Sequence, residues 1–170
     1  MRKLIVAAAL CVLAFVLAPI ASASANVTGA CEIKGEAEFV PGLGKTPAEV
    51  EYKFKGKSKC ATAAGNVEGE TTVKGKAQLQ CAVAAGGIEV VGATGAPGKG
   101  FFLGTEDPFE LSFVAQAGVV DLLARPEGET GYSATGEAQF LTTNGPTEIV
   151  KCAQTNLKAL NFEAQTAGTV

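Results

Sequence analysis

The sequence predicts an all-β fold: a single antiparallel domain of eight or nine strands that follow one another as a meander and close, or nearly close, into a barrel. A two-sheet β-sandwich of immunoglobulin-like kind is the alternative. Three observations lead there. Long stretches alternate apolar or small residues with charged ones at a period of two, which turns one face of a strand to the core and the other to water. No window of helical length carries a sustained apolar stripe, and 21 glycines punctuate the chain. The alternating runs are long and place Gly on their inward face, where it permits the bending that lets a sheet coil round a core. Immunoglobulin-like sandwiches usually have shorter strands and a core Trp, and this chain has no Trp.

The first segment, residues 1–25, reads as a secretory signal peptide. Arg2 and Lys3 are its basic start, Leu4 to Ala18 its apolar run, and Ala23-Ser24-Ala25 its small-residue cleavage signal. An apolar run of 15 residues, followed by Pro19, falls short of the roughly 20 that span a bilayer, so no stable membrane anchor is expected after cleavage. Cys11 follows Leu10 in mid-run, without the small residue that would precede a lipid-modified cysteine. Residues 26–170 are then one disulfide-bonded all-β domain, secreted and extracellular.

From Cys31 to Phe39 the odd positions (Cys31, Ile33, Gly35, Ala37, Phe39) face in and Glu32, Lys34, Glu36 and Glu38 face out. From Val50 to Cys60 the even set, including Val50, Tyr52, Phe54, Gly56 and Cys60, faces in, with Glu51, Lys53, Lys55, Lys57 and Lys59 outside. From Val67 to Val83 the odd set is apolar or small. Ile88 to Val91, Phe109 to Ala117, Val119 to Arg125, Tyr132 to Thr142, Ile149 to Cys152 and Leu157 to Ala164 read as further strands. A weak echo, Gly35-Glu-Ala-Glu-Phe39, Gly75-Lys-Ala-Gln-Leu79 and Gly136-Glu-Ala-Gln-Phe140, recurs at unequal spacings and so marks reuse of a local pattern, not a solenoid.

Charge sets the register of the first three strands. Antiparallel pairing that puts Glu38 opposite Lys53, Glu36 opposite Lys55 and Glu32 opposite Lys59 also brings Phe39 to Tyr52, Gly35 to Gly56 and Cys31 to Cys60. The next pair is set by Lys59 against Glu68, Lys57 against Glu70 and Glu51 against Lys76, although Lys53 then opposes Lys74.

The four cysteines of the mature domain, Cys31, Cys60, Cys81 and Cys152, contain no CxxC, and the chain has no His. An even count in an exported domain reads as two disulfides, not a metal site. Cys81 lies 14 residues beyond Val67, about 45 Å along an extended strand, so it is out of reach of Cys60. The expected pairs are Cys31 with Cys60 and Cys81 with Cys152.

Cys31-x3-Gly35-x-Ala37-x-Phe39-x-Pro41-Gly42-Leu43-Gly44, then Tyr52-x-Phe54-x-Gly56 and Cys60, then Gly75 and Cys81, resembles secreted actinobacterial proteins of uncharacterised function. The resemblance covers residues 31 to 81 and rests on strand residues, a turn and cysteines. It implies a bacterial source and no catalytic residue.

Several constellations invite a functional reading and fail on inspection. The lysine run Lys53, Lys55, Lys57, Lys59 is a solvated sheet face and not a polyanion stripe, because the register offers three of the four a glutamate. Without Arg2 and Lys3 the chain has 12 basic against 17 acidic residues, net −5, which argues against nucleic acid. Gly92 to Gly104 looks like a phosphate loop, but Ala93 and Gly100 occupy positions where that loop needs Gly and Ser or Thr. It reads as a mobile connection, with Phe101-Phe102 either tucked into the core or covering a cavity mouth. Glu106-Asp107 with Glu110, and Glu127 with Glu129, match no calcium loop and read as solvated turns. Asn26-Val27-Thr28 matches a glycosylation acceptor only formally. No cofactor or metal is expected.

The absence of His removes the Ser-His-Asp triad, the zinc-hydrolase cluster and the His general base. The expectation is a secreted, non-enzymatic β-domain acting through its surface in a structural, inhibitory or adhesive role, with an extracellular protein or a cell surface as partner. The alternative is a β-barrel binding a small apolar ligand. Facing inward glycines such as Gly35 and Gly56 imply close backbone approach and point to the first.

Overall fold

The computed structural model describes residues 28–84, 87–141 and 145–169. The expected leader (residues 1–25), Cys11 and Asn26 lie outside them. Nine strands and one helix make up the described chain: β1 (Thr28–Leu43), β2 (Ala48–Thr62), β3 (Gly65–Ala84), β4 (Gly87–Thr94), β5 (Gly98–Phe101), β6 (Pro108–Gln116), β7 (Val119–Pro126), β8 (Ala134–Leu141), α1 (Gly145–Ala153) and β9 (Leu157–Thr169). Every pairing is antiparallel, successive strands pair except β4 with β5, and β9 pairs with β1, so the sheet closes into an up-and-down barrel.

The barrel has eight staves because β4 and β5 share one. Both pair with β3 on one side and β6 on the other. Between Ala77↔Thr94 and Val73↔Gly100 this stave advances six residues against four on β3, so Gly95-Ala96-Pro97 is a bulge that bends the wall. The segment Gly92 to Gly104, expected to be a connection throughout, therefore contributes a short strand whose backbone groups are satisfied by both neighbours. Alternation missed it because its inward residues are Gly98 and Gly100.

Partner-to-partner steps around the wall run Glu49, Gln78, Ala93, Val114, Asp121, Glu137, Gln165, Glu32 and back to β2 at Lys59, ten residues from Glu49. Such a stagger tilts the strands about 40° and leaves an eight-stave interior wide enough for side chains or one small molecule. The registers of β1, β2 and β3 are those required by the charges: Glu38↔Lys53, Gly35↔Gly56, Cys31↔Cys60, Lys59↔Glu68 and Glu51↔Lys76 are all cross-strand partners.

One expected strand is a helix. Residues Ile149 to Cys152 fall in α1, which starts at Gly145-Pro146, carries Glu148 in its first turn and Lys151 in its last, and ends where Asn156 N–H donates to the Lys151 carbonyl. A strand would put Val150 and Cys152 on one face. Here Val150 is 53% exposed and Cys152 fully buried, because a helix turns residues 149 and 152 inward together. The helix packs on β3, β4 and β9 at the barrel end where β3 finishes and β4 and β9 begin. The Cys81–Cys152 disulfide ties it there, and the Cys31–Cys60 disulfide joins β1 to β2 nearer the other end. The end opposite α1 carries the β2–β3 and β5–β6 connections.

Candidate functional site

Inward positions of all eight staves meet in one core. Its middle is aromatic. Phe54 packs on Tyr52, Phe113, Phe140 and Phe162 with ring centroids 4.9 to 6.3 Å apart. The glycines make room for these rings. A side chain at Gly75 or Gly98 would strike the Tyr52 hydroxyl, and one at Gly35 would strike the Lys55 carbonyl across the strand. The echo glycines are thus inward positions of close approach, as their pattern implied.

Tyr52 is 2% exposed, and its hydroxyl rests against the Gly98 backbone without a hydrogen bond of normal geometry. Burial pushes its pKa up to about 12. Because the unfolded tyrosine ionises near 10, the folded state loses stability as pH rises from 10 towards 12, by roughly 2 kcal/mol at pH 12. Tyr52→Phe should remove that part of the alkaline loss while leaving stability at pH 7 within about 1 kcal/mol. Urea denaturation of both proteins from pH 7 to 11.5 tests this, and parallel curves would refute it.

Beyond the ring cluster, towards the end opposite α1, lies a cavity of about 60 Å³. Phe54, Phe140 and Phe162 form its floor, and Ile33, Val73, Phe109, Leu111, Val120 and Leu122 line its sides. Ala124, Ala134, Ala138 and Ala164 surround it with methyl groups only. Phe102 also lines it from the β5–β6 connection, edge-on to Phe109 at 6.1 Å. Of the two phenylalanines left open between core and cavity mouth, Phe102 does both, at 5% exposure, and Phe101 points out at 45%. The connection turns back at Leu103 and Gly104, both with positive φ (52° and 68°).

One buried polar pair touches this space. Ser58 Oγ and Thr71 Oγ1 lie 2.6 Å apart inside the wall between β2 and β3, and Leu103 N–H donates to Thr71 Oγ1 at 3.2 Å. Sequence reading missed the pair. The available signal was that Ser58 and Thr71 are polar residues at inward positions of adjacent strands.

The outer wall is charged chiefly on β1 to β3. Lys53 pairs with Glu38 (3.4 Å), but Lys55 and Lys59 turn to Glu70 and Glu68 on β3 (3.5 and 3.4 Å) instead of the β1 glutamates directly opposite. Lys34 bridges Glu32 and Glu163, whose hydrogen bonds raise its pKa, and it holds Glu32 below the usual carboxylate range. These pairs are exposed and screened by solvent, so they set register more than they stabilise the wall. Glu110, expected in a solvated turn, lies on β6 and pairs with Arg125 of β7 at 2.8 Å, Glu127 pairs with Lys99, and Arg125 also stacks on Tyr132 at 5.2 Å. Among the described residues no group of three or more Cys, Asp or Glu is placed to share a metal ion. An outer concavity of about 1120 Å³ runs over β7, β8, β9 and β1 to the β2–β3 hairpin and includes Glu32, Lys59, Asp121, Glu137 and Gln165.

No family model, curated protein or solved structure matches this chain. Its function is therefore argued from the barrel alone.

Proposed function

We propose that this barrel is a secreted, non-enzymatic carrier that encloses a small, mostly apolar molecule in the end opposite α1. The observation that carries this reading is the apolar cavity itself, ringed by Ala124, Ala134, Ala138 and Ala164. Each of the four presents only a methyl group to it. Small side chains at these four positions keep an apolar space of about 60 Å³ open beside the ring cluster, which a packing role alone gives no reason to retain. Secretion is supported by the leader and by two disulfides, which persist in oxidising compartments.

Native mass spectrometry of protein purified from its own culture medium, then denaturation, tests the proposal. A stoichiometric molecule released on unfolding is expected. An empty domain whose melting is unmoved by a panel of small apolar compounds would refute it. Ala138→Val should raise the melting temperature by about 2–4 °C through partial filling and at the same time lower the amount of bound molecule. Unchanged loading in this variant would place the ligand elsewhere. A second reading, action through the outer wall, draws on the groove over β7, β8, β9 and β1, and an empty interior would favour it.

A further inference from the structure

We infer, resting on the carrier reading above, that the ligand is a neutral, mainly apolar molecule of about eight non-hydrogen atoms bearing a single hydrogen-bond acceptor, that Thr71 recognises that acceptor, and that the ligand takes the place of the Phe102 ring. The argument starts from hydrogen-bond capacity. A hydroxyl has one proton to give and two lone pairs to receive. Ser58 and Thr71 share one hydrogen bond, and Thr71 receives a second from Leu103 N–H. If Ser58 donates, both Thr71 lone pairs are used and its own proton has no acceptor among the described residues. If Thr71 donates instead, the Ser58 proton has none. In either case one buried hydroxyl proton is left over, a condition that costs stability unless something accepts it.

Thr71 lines the cavity and Ser58 does not, so only the first arrangement can be completed by a ligand. Thr135 and Thr166 also border the cavity, but they are exposed and half-buried and have access to water, whereas Thr71 is buried. The site thus offers one donor and no free acceptor from Thr71. No Lys, Arg, Asp or Glu lines the cavity, so an ionised ligand would be left without a counter-charge in an apolar space.

Size follows from the roof. The cavity of 60 Å³ is less than half of the roughly 150 Å³ that admits benzene. Phe102 is itself a benzene-sized ring at the cavity edge, 5% exposed and edge-on to Phe109. Rotating it outward adds a ring-sized space to the cavity and brings it to the size that admits benzene or a slightly larger molecule. Phe101, the residue before it and the last of β5, faces out by strand alternation at 45% exposure.

The test uses two probes of equal shape, heptan-2-one and 2-methylhept-1-ene, which differ in whether an oxygen or a methylene ends the double bond. Calorimetric or headspace titration of the folded protein should give at least fivefold tighter binding of the ketone. Thr71→Val should bring the ratio to about one while still binding the alkene. Ser58→Ala removes the same buried hydrogen bond but leaves the Thr71 proton, so the preference for ketone should survive. Loss of preference in both variants would make Thr71 merely structural and overturn the assignment. Equal binding of both probes by the native protein would overturn it too, yet leave the carrier reading standing. Binding of neither probe, by the native protein or by Phe102→Ala, would overturn both.

Discussion

Cys81→Ala combined with Cys152→Ala should lower the melting temperature by about 10–15 °C, the largest loss expected from any pair of side chains outside the ring cluster. The bridge spans 71 residues, and releasing a loop of that length gives back roughly 4 kcal/mol of unfolded-state entropy. A structural effect adds to this. Cys152 is the buried anchor of α1, and the helix has nine residues, too few to hold its shape unsupported. Without the bridge, the barrel end beneath α1 should open to solvent. Cys31→Ala with Cys60→Ala should cost less, since that bridge closes 29 residues between strands already hydrogen-bonded from Gly29↔Thr62 to Val40↔Glu51. Thermal denaturation of the two double variants decides the order. A larger loss from the Cys31–Cys60 pair would mean that α1 is not held mainly by its disulfide.

Gly35→Ala should destabilise by about 3 kcal/mol or more, comparable to a disulfide. The new methyl would lie inside the contact distance of the Lys55 carbonyl and 2.5 Å from Gly56 Cα, both backbone atoms of the paired strand that cannot rotate away. Relief would require β1 and β2 to separate where they are hydrogen-bonded. Gly95→Ala is the control. It lies in the bulge between β4 and β5, has nothing within 4 Å of its added methyl and no positive φ, so Ala should be neutral or stabilise by about 0.5 kcal/mol by restricting the unfolded chain. Chemical denaturation of both variants measures the difference. Equal stability would show that the two strands can spread at Gly35, and would remove the close approach from the account of the core.

The contrast between these glycines indicates what was legible in the amino-acid order. Local pattern alone determined the all-β class, the inward and outward faces of β1, β2 and β3, and their registers, because a one-residue slip would send Phe39, Tyr52 and Phe54 to water and set like charges opposite one another. The cysteine partners followed from the same registers and from reach along an extended strand. Helix α1 did not, since four residues such as Ile149 to Cys152 satisfy either period and only the position of Cys81 shows which face must turn inward. Strand β5 did not either, because Gly98 and Gly100 leave no apolar signal to alternate, and their role is visible only once Tyr52 and Thr72 lie beside them. The candidate site was the least legible part. Its alanines come from β7, β8 and β9, its roof from the connection after β5, and its hydroxyls from β2 and β3. Whether such residues enclose a void depends on how side-chain volumes from eight staves sum around a closed circumference, a quantity that no single strand encodes and that only barrel closure sets.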